Sequence, residues 1–403
     1  MKENYKKSVK NIDKCLCGLK SKTSVDFRKF PITEIFLNKF KISKKYYFDQ
    51  KINFCESCGH IFLGKQINSK HIYNSNSYLF SSSQSYSAIH ANDTFFEFIN
   101  ANINKKIKHD QIIELGSNDL YLLKKFYKTA NKLIGIDPVV KVSKKFKKIK
   151  TIKNFFGKKV IEGYLNKKSD IIICGHTLEH VENVGEFIKN TLSICSENTR
   201  IFFQFPSSES LIQSNSFDQL HHQHLNLFSL KSFKSLLDKH GGKLIDFKFN
   251  NLHYGALMVF FTLKKSKIKP KKNIKINNKL NLNFKNSYNN FKNHLSSYKI
   301  VINNYLKLKK KFYVIGAGLM LPLINYHLDN LINKADGILD DDRRKIGKFF
   351  PGINSKISPL KNADVENSVC LIAPVASTLT CRKLVEILKN KKAETILLPT
   401  ITF

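Results

Sequence analysis

QIIELGSNDLYLL, residues 111–123, joins a short apolar run to an acidic, glycine-containing turn and then to a helical pattern. The run predicts a strand over Ile112–Leu115, with the turn at its carboxyl end. Open parallel sheets bind their ligands at that edge. The segment therefore predicts a cofactor-binding turn, and its candidate residues are Glu114, Gly116, Asn118 and Asp119.

Two further segments continue this pattern. Asp137 ends the next apolar run, LIGIDP, at about the spacing where a carboxylate meets ribose hydroxyls. DIIICGHTLEHVEN, residues 170–183, then runs from a strand into a polar turn that contains the candidates His176 and Glu179. This order of turns favours a class I S-adenosylmethionine (SAM) methyltransferase. A nicotinamide enzyme would favour G-x-G-x-x-G, of which only Gly116 is present.

Between residues 111 and 264, short apolar runs alternate with helical segments, which predicts βαβ units and a mostly parallel sheet. The strand candidates are QIIEL, KLIGID, DIIICG, RIFFQFP, GGKLIDFKF and ALMVFFTL. The helix candidates within this region are LYLLKKFYKTANK and VGEFIKNTLSICSEN. Before it, NDTFFEFINANINKKI, residues 92–107, also predicts a helix, which Asn92 or Asp93 would cap. A second α/β unit is expected from KFYVIGAG at residue 311 to ETILLP near the end of the chain.

Four of the eight cysteines form two close pairs near the N-terminus. Cys55 and Cys58 have the two-residue gap of a zinc knuckle, in which a turn points two thiolates at one ion. Cys15 and Cys17 are separated by a shorter gap. We expect these four cysteines to bind a structural Zn²⁺. The alternatives are four free thiols, or a site in which His60 replaces one of the cysteines.

The charge of the chain allows two interpretations. Its 403 residues include 68 Lys and Arg against 31 Asp and Glu, so that the formal net charge is +37. A nucleic-acid or membrane partner would explain this excess. The abundance of Lys, Asn, Ile and Phe without Trp is instead typical of an AT-rich genome, and arginine, which nucleic-acid readers favour, is scarce. We therefore expect no nucleic-acid partner, whereas an anionic substrate would suit the charge.

The N-terminal segment and the hydropathy predict a cytoplasmic protein. MKENYKKSVKNIDKC is basic but lacks the apolar stretch of a secretory signal. FYVIGAGLMLPLINY is interrupted by Gly and Pro, and no apolar run approaches the length of a membrane span. The mean hydropathy of -0.28 agrees with this interpretation. No membrane partner is expected, and no feature of the sequence indicates an oligomeric state.

FDQLHHQHLNLFS, residues 217–229, contains His221, His222 and His224. Three interpretations are open: metal ligands, a catalytic base with its neighbours, or three structural imidazoles. A metal site is disfavoured because no carboxylate-rich segment is adjacent in sequence. Histidine suits a base because its ordinary pKa lies near neutral pH.

The chain resembles the sugar C-methyltransferase family in four segments that occur in the family's order. ELGSNDLYLL is similar to that family's E-x-G-S-N-D-G-x-L-L turn, and YLFSSSQS to its Y-x-Y-x-S-S-x-S stretch. FDQLHHQHLNLFS is similar to its F-D-x-x-Y-H-E-H-L-S-Y-F-S loop, and DDDRRKIGKFFPGI to its D-x-x-P-x-K-x-G-x-x-x-P-G segment. The resemblance covers nearly the whole chain.

The expected fold class is therefore α/β: a class I methyltransferase Rossmann-like sheet, a small N-terminal zinc module and a second, C-terminal Rossmann-like domain. The expected organisation is a zinc-binding module at residues 1–70, a helical segment that closes over the substrate at 71–110, a SAM-binding domain at 111–264, a helical connector at 265–311 and the C-terminal domain at 312–403.

The resemblance implies SAM-dependent methylation of a nucleotide-bound keto-deoxysugar, for a surface polysaccharide or a glycosylated metabolite. A base removes the proton on the carbon beside the ketone, and the enolate attacks the methyl group. His224 stands where the family's motif places its base. His222 and His221 would shape the pocket, and Tyr78 would close over the substrate.

The chain departs from the family's motifs at several positions. Leu120 replaces a glycine and Gln223 a glutamate, while His221 and Phe80 each replace a tyrosine. These departures favour two alternatives to the implied reaction. One is a catalytically weak relative that binds a sugar nucleotide or a partner enzyme. The other is an O-methyltransferase that uses a different base.

Overall fold

The structure, a computed structural model, describes residues 9–21, 23–33, 35–67, 81–83, 86–140, 146–165, 167–270, 274, 282–373 and 378–398. Its strands are β1 (Val9–Asn11), β2 (Thr23–Pro31), β3 (Tyr47–Phe54), β4 (Ile61–Leu63), β5 (Lys65–Ile67), β6 (His109–Leu115), β7 (Ala130–Ile136), β8 (Ile149–Ile152), β9 (Ser169–Gly175), β10 (Cys195–Phe205), β11 (Asn226–Leu227), β12 (Gly242–Asn250), β13 (Ala256–Leu263), β14 (Phe312–Ile315), β15 (Gly337–Leu339), β16 (Ile357–Ser358), β17 (Val369–Ile372) and β18 (Thr395–Leu397).

The α-helices span Tyr86–Asn100, Tyr121–Lys124, Lys158–Tyr164, Val184–Ser193, Ser208–Ser214, Leu230–His240, Phe284–Lys307, Leu321–His327 and Thr378–Asn390. Short 3-10 helices span Lys44–Tyr46, Leu178–His180, Phe217–Gln219 and Leu331–Lys334. Within the described parts of the chain, no helix combines the length and the apolar content needed to cross a membrane.

Seven strands form the central sheet, in the order β12-β13-β10-β9-β6-β7-β8. The strands from β10 to β8 are parallel, and β13 runs antiparallel between β10 and β12. The chain proceeds outward from β6 through β7 to β8, and then returns to β9 on the other side of β6. The direction of winding therefore reverses between β6 and β9, and such a switch point is where α/β sheets bind ligands.

Side chains of the central sheet alternate between two apolar layers. Ile112 packs in one layer and its neighbour Ile113 in the other. Phe95 of the helix Tyr86–Asn100 covers the first layer, and Phe233 of the helix Leu230–His240 covers the second. Burial on both faces explains why these strands are continuous apolar runs in the sequence.

A four-stranded antiparallel sheet, in the order β11-β4-β3-β2, forms the N-terminal part of the fold. Its edge strand β11 belongs to residues 217–229, which we call the histidine segment. Asn226 pairs with Phe62 and Leu227 with Ile61. This pairing attaches a segment that follows β10 of the central sheet to the N-terminal sheet.

Five parallel strands form a separate C-terminal sheet, in the order β16-β15-β14-β17-β18. One apolar core joins this sheet to the N-terminal sheet, because Phe27 and Ile52 pack in the same cluster as Phe312 and Val314. The helix Phe284–Lys307 contributes to that cluster as well. The N-terminal sheet is thus held from two sides.

The first helix begins earlier than its sequence pattern predicted. It starts at Tyr86, so the prediction that Asn92 or Asp93 caps it is wrong. The early turns are buried through Ala88 and Ala91, whose small side chains give a weak periodic signal. The helix expected over LYLLKKFYKTANK is limited to Tyr121–Lys124 and is followed by turns.

His327 lies in an aromatic cluster between the N-terminal and C-terminal sheets. Its ring centroid is 5.8 Å from that of Phe27 and 5.1 Å from that of Phe291. Burial, assisted by the positive charge of Lys292 and opposed by Asp329, lowers the pKa of His327 to about 4. The imidazole is therefore neutral in the folded chain at pH values where the unfolded chain is protonated.

We expect His327→Phe to reduce the acid sensitivity of the fold. As the pH falls from about 6.5 to about 4, the unfolded chain takes up a proton at His327 that the folded chain does not, so the free energy of unfolding decreases. One such group contributes at most about 1.4 kcal/mol per pH unit. Urea unfolding across this pH window measures the slope, with His90→Gln as the control. Equal slopes for wild type and H327F would contradict the prediction.

Candidate active site

The turn after β6 lies directly against the turn after β9. Gly116 has a φ of +75°, and a Cβ there would lie 1.8 Å from Oγ1 of Thr177. Any side chain at this position would push the two turns apart. Glycine therefore allows the predicted cofactor turn to meet the polar turn, residues 176–180, at the switch point of the sheet.

Two buried carboxyl groups belong to this junction. Asp137 accepts hydrogen bonds from the backbone N–H of Asn118 at 2.9 Å and of Val139 at 2.7 Å. Glu114 lies at the end of β6, and its Oε2 has no hydrogen-bond partner among the described residues. Burial raises the pKa of Asp137, and it raises that of Glu114 well above the ordinary range. These acceptors fit the ribose hydroxyls and the ammonium group of SAM.

Asp119 connects the cofactor turn to residues 81–83. Its carboxylate accepts hydrogen bonds from the hydroxyl of Ser81 and from the backbone N–H of Ser83, the latter at 2.8 Å. Burial alone would raise the pKa of Asp119, but these hydrogen bonds hold it below its ordinary value. Ser81 and Ser83 of YLFSSSQS thus contact the cofactor turn. Tyr78, the residue expected to close over the substrate, lies outside the described residues.

Leu120 packs into the core beneath the cofactor turn. Its φ of 67° is in the left-handed region, where glycine is favoured. The side chain is 1% exposed, and a Cβ added at Gly135 on β7 would lie 2.6 Å from its Cδ2. The leucine therefore fills the space that Gly135 leaves open, and it does not line a solvent-accessible cofactor cleft.

A chain of hydrogen bonds that the sequence analysis did not predict holds His176. Asn250 Nδ2 donates to Gln204 Oε1 at 3.1 Å, and Gln204 Nε2 donates to His176 Nε2 at 2.9 Å. His176 then carries its proton on Nδ1, which lies 3.3 Å from Glu179 Oε1 and 3.0 Å from the hydroxyl of Tyr254. The signal that could have revealed Gln204 and Asn250 is a polar residue inside an otherwise apolar strand.

His224 is buried in the histidine segment, with its ring centroid 3.9 Å from that of His221. Its Nδ1 donates to the carbonyl of Gln219 at 2.9 Å, so the lone pair of the neutral ring is on Nε2. Burial, and then the neighbouring histidines, lower the pKa of His224 well below its ordinary value. The ring is therefore neutral at pH 7 and has a nitrogen that can accept a proton.

The turn after β9 brings another histidine to His224. Nδ1 of His180 donates to the carbonyl of Gln223 at 2.8 Å, and the ring centroids of His180 and His224 are 5.1 Å apart. The sequence analysis did not predict this contact, because the two histidines belong to distant segments. It joins the polar turn, residues 176–180, to the predicted base.

Gln223 orients His221. Its Oε1 accepts hydrogen bonds from Nδ1 of His221 at 2.8 Å and from the hydroxyl of Thr33 at 3.0 Å, and its Nε2 donates to the carbonyl of Thr33 at 3.0 Å. Burial lowers the pKa of His221 to about 3. The hydrogen bond to Gln223 opposes this shift, so burial keeps the ring of His221 neutral and the amide of Gln223 orients it.

His222 contacts the N-terminal sheet. Its Nε2 donates to the carbonyl of Phe30 at 3.2 Å, and its Nδ1 accepts a hydrogen bond from Gln50 Nε2 at 3.1 Å. Burial lowers the pKa of His222 to about 4. Both ring nitrogens are therefore occupied by the fold, and His222 attaches the histidine segment to β2 and β3.

The four N-terminal cysteines lie together, as their spacing predicted. The sulfur of Cys15 is 3.5 Å from that of Cys58, and the sulfur of Cys17 is 3.6 Å from that of Cys55. One ligand atom from each lies within 4.8 Å of the others. Nδ1 of His60 lies 3.4 Å from the sulfur of Cys15, which places the imidazole beside the four thiols.

Residues 86–246 match a family model described as a methyltransferase domain. The matched residues contain the cofactor turn, the polar turn after β9 and the histidine segment. The match and the mixed seven-stranded sheet define this part of the chain as a class I, SAM-dependent methyltransferase domain. The α/β class expected from the sequence is confirmed for this domain.

Among curated proteins, the C-methyltransferase NovU of Streptomyces niveus is 24% identical to the chain over 155 residues. The match covers 38% of this chain and spans 37% of the length of NovU. The fold is also similar to solved methyltransferases bound to S-adenosylhomocysteine. N-methyltransferase NodS from Bradyrhizobium japonicum has a TM-score of 0.35 at 9% identity, over 45% of this chain and 90% of that one. The 1,6-didemethyltoxoflavin-N1-methyltransferase of Burkholderia thailandensis has a TM-score of 0.36 at 11% identity, over 49% of this chain and 84% of that one.

We expect Leu120→Gly to destabilise the domain without weakening its affinity for S-adenosylhomocysteine. Removing a buried leucine costs about 3–4 kcal/mol, and relief of the left-handed backbone returns about 1–2 kcal/mol. The net loss, about 2 kcal/mol, is measured by denaturant unfolding, and the affinity by calorimetric titration. Leu123→Ala, at an equally buried leucine of the same cluster, is the control. A tenfold change in affinity for L120G alone would show that Leu120 borders the cofactor.

Proposed function

We propose that the chain catalyses the SAM-dependent C-methylation of a nucleotide-activated keto-deoxysugar, with His224 as the base. The observation that carries this proposal is the buried, neutral ring of His224, whose Nδ1–H is held by the carbonyl of Gln219. The Nε2 lone pair of this ring, which lies beside His180 of the turn after β9, can accept the proton from the carbon next to a ketone. The similarity to a C-methyltransferase supports carbon as the acceptor atom.

The reaction needs one proton transfer and one methyl transfer. SAM, when bound, supplies a methyl group on a positively charged sulfur. Nε2 of His224 takes the proton from the carbon beside the ketone, the carbon–methyl bond forms and the sulfur–methyl bond breaks. The products are the methylated ketone and S-adenosylhomocysteine, and His224 releases its proton to solvent before the next cycle.

The enolate formed from the ketone needs a hydrogen-bond donor for its oxygen. The family's motif has a tyrosine where this chain has His221, and the Nδ1–H of His221 is already donated to Gln223. Tyr254, whose hydroxyl lies 3.0 Å from Nδ1 of His176, offers a phenol in this part of the fold. We therefore propose Tyr254 as the replacement donor.

A nucleotide-linked sugar as the substrate is supported by two features of the chain. The motif order resembles that of enzymes acting on such sugars, and the net charge of +37 suits an anionic diphosphate. The cofactor turn, the histidine segment and an anionic acceptor would then meet at one edge of the central sheet.

We expect His224→Ala to reduce kcat by about a hundredfold or more, because general-base catalysis contributes at least that much. Affinity for S-adenosylhomocysteine should stay within about threefold of wild type, since no ionic contact to the cofactor is lost. Methyl transfer from labelled SAM to nucleotide-linked keto-deoxysugars measures the rate, and calorimetry measures the affinity. His240→Gln, at a histidine outside the site, is the control.

Two results would favour the alternatives. A wild-type rate for H224A would show that another residue is the base, as an O-methyltransferase would require. A wild-type chain that binds no S-adenosylhomocysteine would favour a catalytically weak relative that binds a sugar nucleotide or a partner enzyme.

We also propose that Cys15, Cys17, Cys55 and Cys58 bind a structural Zn²⁺. A tetrahedral site with zinc–sulfur bonds of 2.3 Å holds its sulfurs about 3.8 Å apart, close to the separations within the two pairs. The ion would cross-link the segment before β2 to the turn between β3 and β4. It would also support the histidine segment, because the hydroxyl of Ser229 donates to the carbonyl of Cys58.

We expect zinc removal, by a chelator or by Cys55→Ser, to slow methyl transfer more than it weakens cofactor binding. The histidine segment pairs with β4 beside the cysteines, whereas the cofactor turn is held by the central sheet. Elemental analysis should find zinc in the wild type and lose it in C55S, whose melting temperature should fall. Cys381→Ser, at a buried thiol of the last helix, is the control. An unchanged rate in the zinc-free chain would contradict this coupling.

A further inference from the structure

Three potential metal ligands converge where the turn after β9 meets the histidine segment. One ligand atom from each of Glu179, His180 and His224 lies within 4.8 Å of the other two. Glu179 and His224 are buried, and His180 is half-buried. Two imidazoles and one carboxylate form the ligand set that holds catalytic zinc with an open coordination position.

The carboxylate of Glu179 has an unused oxygen. Its side chain is 1% exposed, and Oε2 has no hydrogen-bond partner among the described residues. Oε1 faces Nδ1 of His176 at 3.3 Å. A buried acceptor without a donor is costly unless a cation or a donor occupies the space beside it.

The surrounding hydrogen bonds are those that orient metal ligands. Nδ1 of His180 donates to the carbonyl of Gln223, and Nδ1 of His224 donates to the carbonyl of Gln219. Metal-binding histidines commonly donate one ring N–H to such an acceptor, which leaves the lone pair on the other nitrogen. His176, held in turn by Gln204, fixes the carboxylate in the same way.

We propose that Glu179, His180 and His224 bind a divalent transition-metal ion beside the cofactor turn. Imidazole nitrogens favour ions of the Zn²⁺, Co²⁺ or Fe²⁺ class over Mg²⁺ or Ca²⁺, which prefer sites made of oxygen ligands. The site is separate from the four cysteines, whose ligands are all sulfur.

Metal binding at this site has a consequence for catalysis that rests on the proposed function. The lone pair on Nε2 of His224 can accept the substrate's proton or bind the ion, but not both. The bound ion therefore inhibits methyl transfer, and a chelator that leaves the cysteine site loaded restores it. The existence of the site does not depend on that activity.

The test is a titration of the zinc-loaded, full-length protein with Co²⁺, followed by calorimetry and visible absorption. We expect one saturable equivalent beyond the bound zinc, without the sulfur-to-cobalt charge-transfer absorption that thiolates produce. Glu179→Gln keeps a side-chain oxygen that can accept from His176 but removes the negative charge of the carboxylate. It should weaken Co²⁺ binding by at least about tenfold. His240→Gln, at a histidine outside the cluster, should bind Co²⁺ as the wild type does.

A parallel titration with S-adenosylhomocysteine separates this site from the cofactor site. Wild-type-like affinity in E179Q together with loss of Co²⁺ binding supports the metal site, even if no methyl transfer is ever detected. Absence of Co²⁺ binding beyond the zinc overturns the proposal, and so does equal Co²⁺ binding by wild type and E179Q. Loss of S-adenosylhomocysteine binding in E179Q, with no extra metal in the wild type, would show that the carboxylate serves the cofactor.

Discussion

The pairing of the histidine segment with β4 is the interaction on which the site depends. Two residues, Asn226 and Leu227, form a strand there, and the backbone N–H of Leu63 donates to the carbonyl of Leu225 at 3.0 Å. His222 adds hydrogen bonds to both of the next two strands. Without these partners the segment would bury unpaired backbone and imidazole groups, at about 1–3 kcal/mol each. The N-terminal sheet therefore supports residues that we propose to act at the edge of the central sheet.

A second constraint acts from the opposite side. Gly116 lets the cofactor turn and the turn after β9 touch, and that contact places Glu179 and His180 beside the histidine segment. Burial disfavours a positive charge on the clustered rings, so carbonyl acceptors such as that of Gln219 can select one neutral tautomer. Neutral rings with a defined lone pair are what both a base and a metal ligand require.

Much of the fold was predictable from the sequence. The apolar runs at 111–264 predicted six of the seven central strands, all except β8, and the two cysteine pairs predicted one cluster, because periodicity and short spacing are local properties. Prediction from the sequence failed where small residues, such as alanine and glycine, determine the local structure but give only a weak sequence signal. Ala88 and Ala91 concealed the start of a helix. Leu120, which stands at a glycine position of the similar family, favoured alternatives to the implied reaction, whereas its side chain fills the space that Gly135 leaves open.

The chain's local pattern was sufficient to determine its α/β class and the position of the acidic cofactor turn, since each depends on residues only a few positions apart. The contacts that distinguish the three histidines of the histidine segment depend on the tertiary structure alone. Pairing with β4 directs His222 to the N-terminal sheet and leaves His224 for the proposed site. The meeting of Glu179 and His180 with His224 follows from the winding of the central sheet, which brings distant turns to one edge. Contacts of that kind depend on how strands cross and pair, and no short stretch of sequence encodes them.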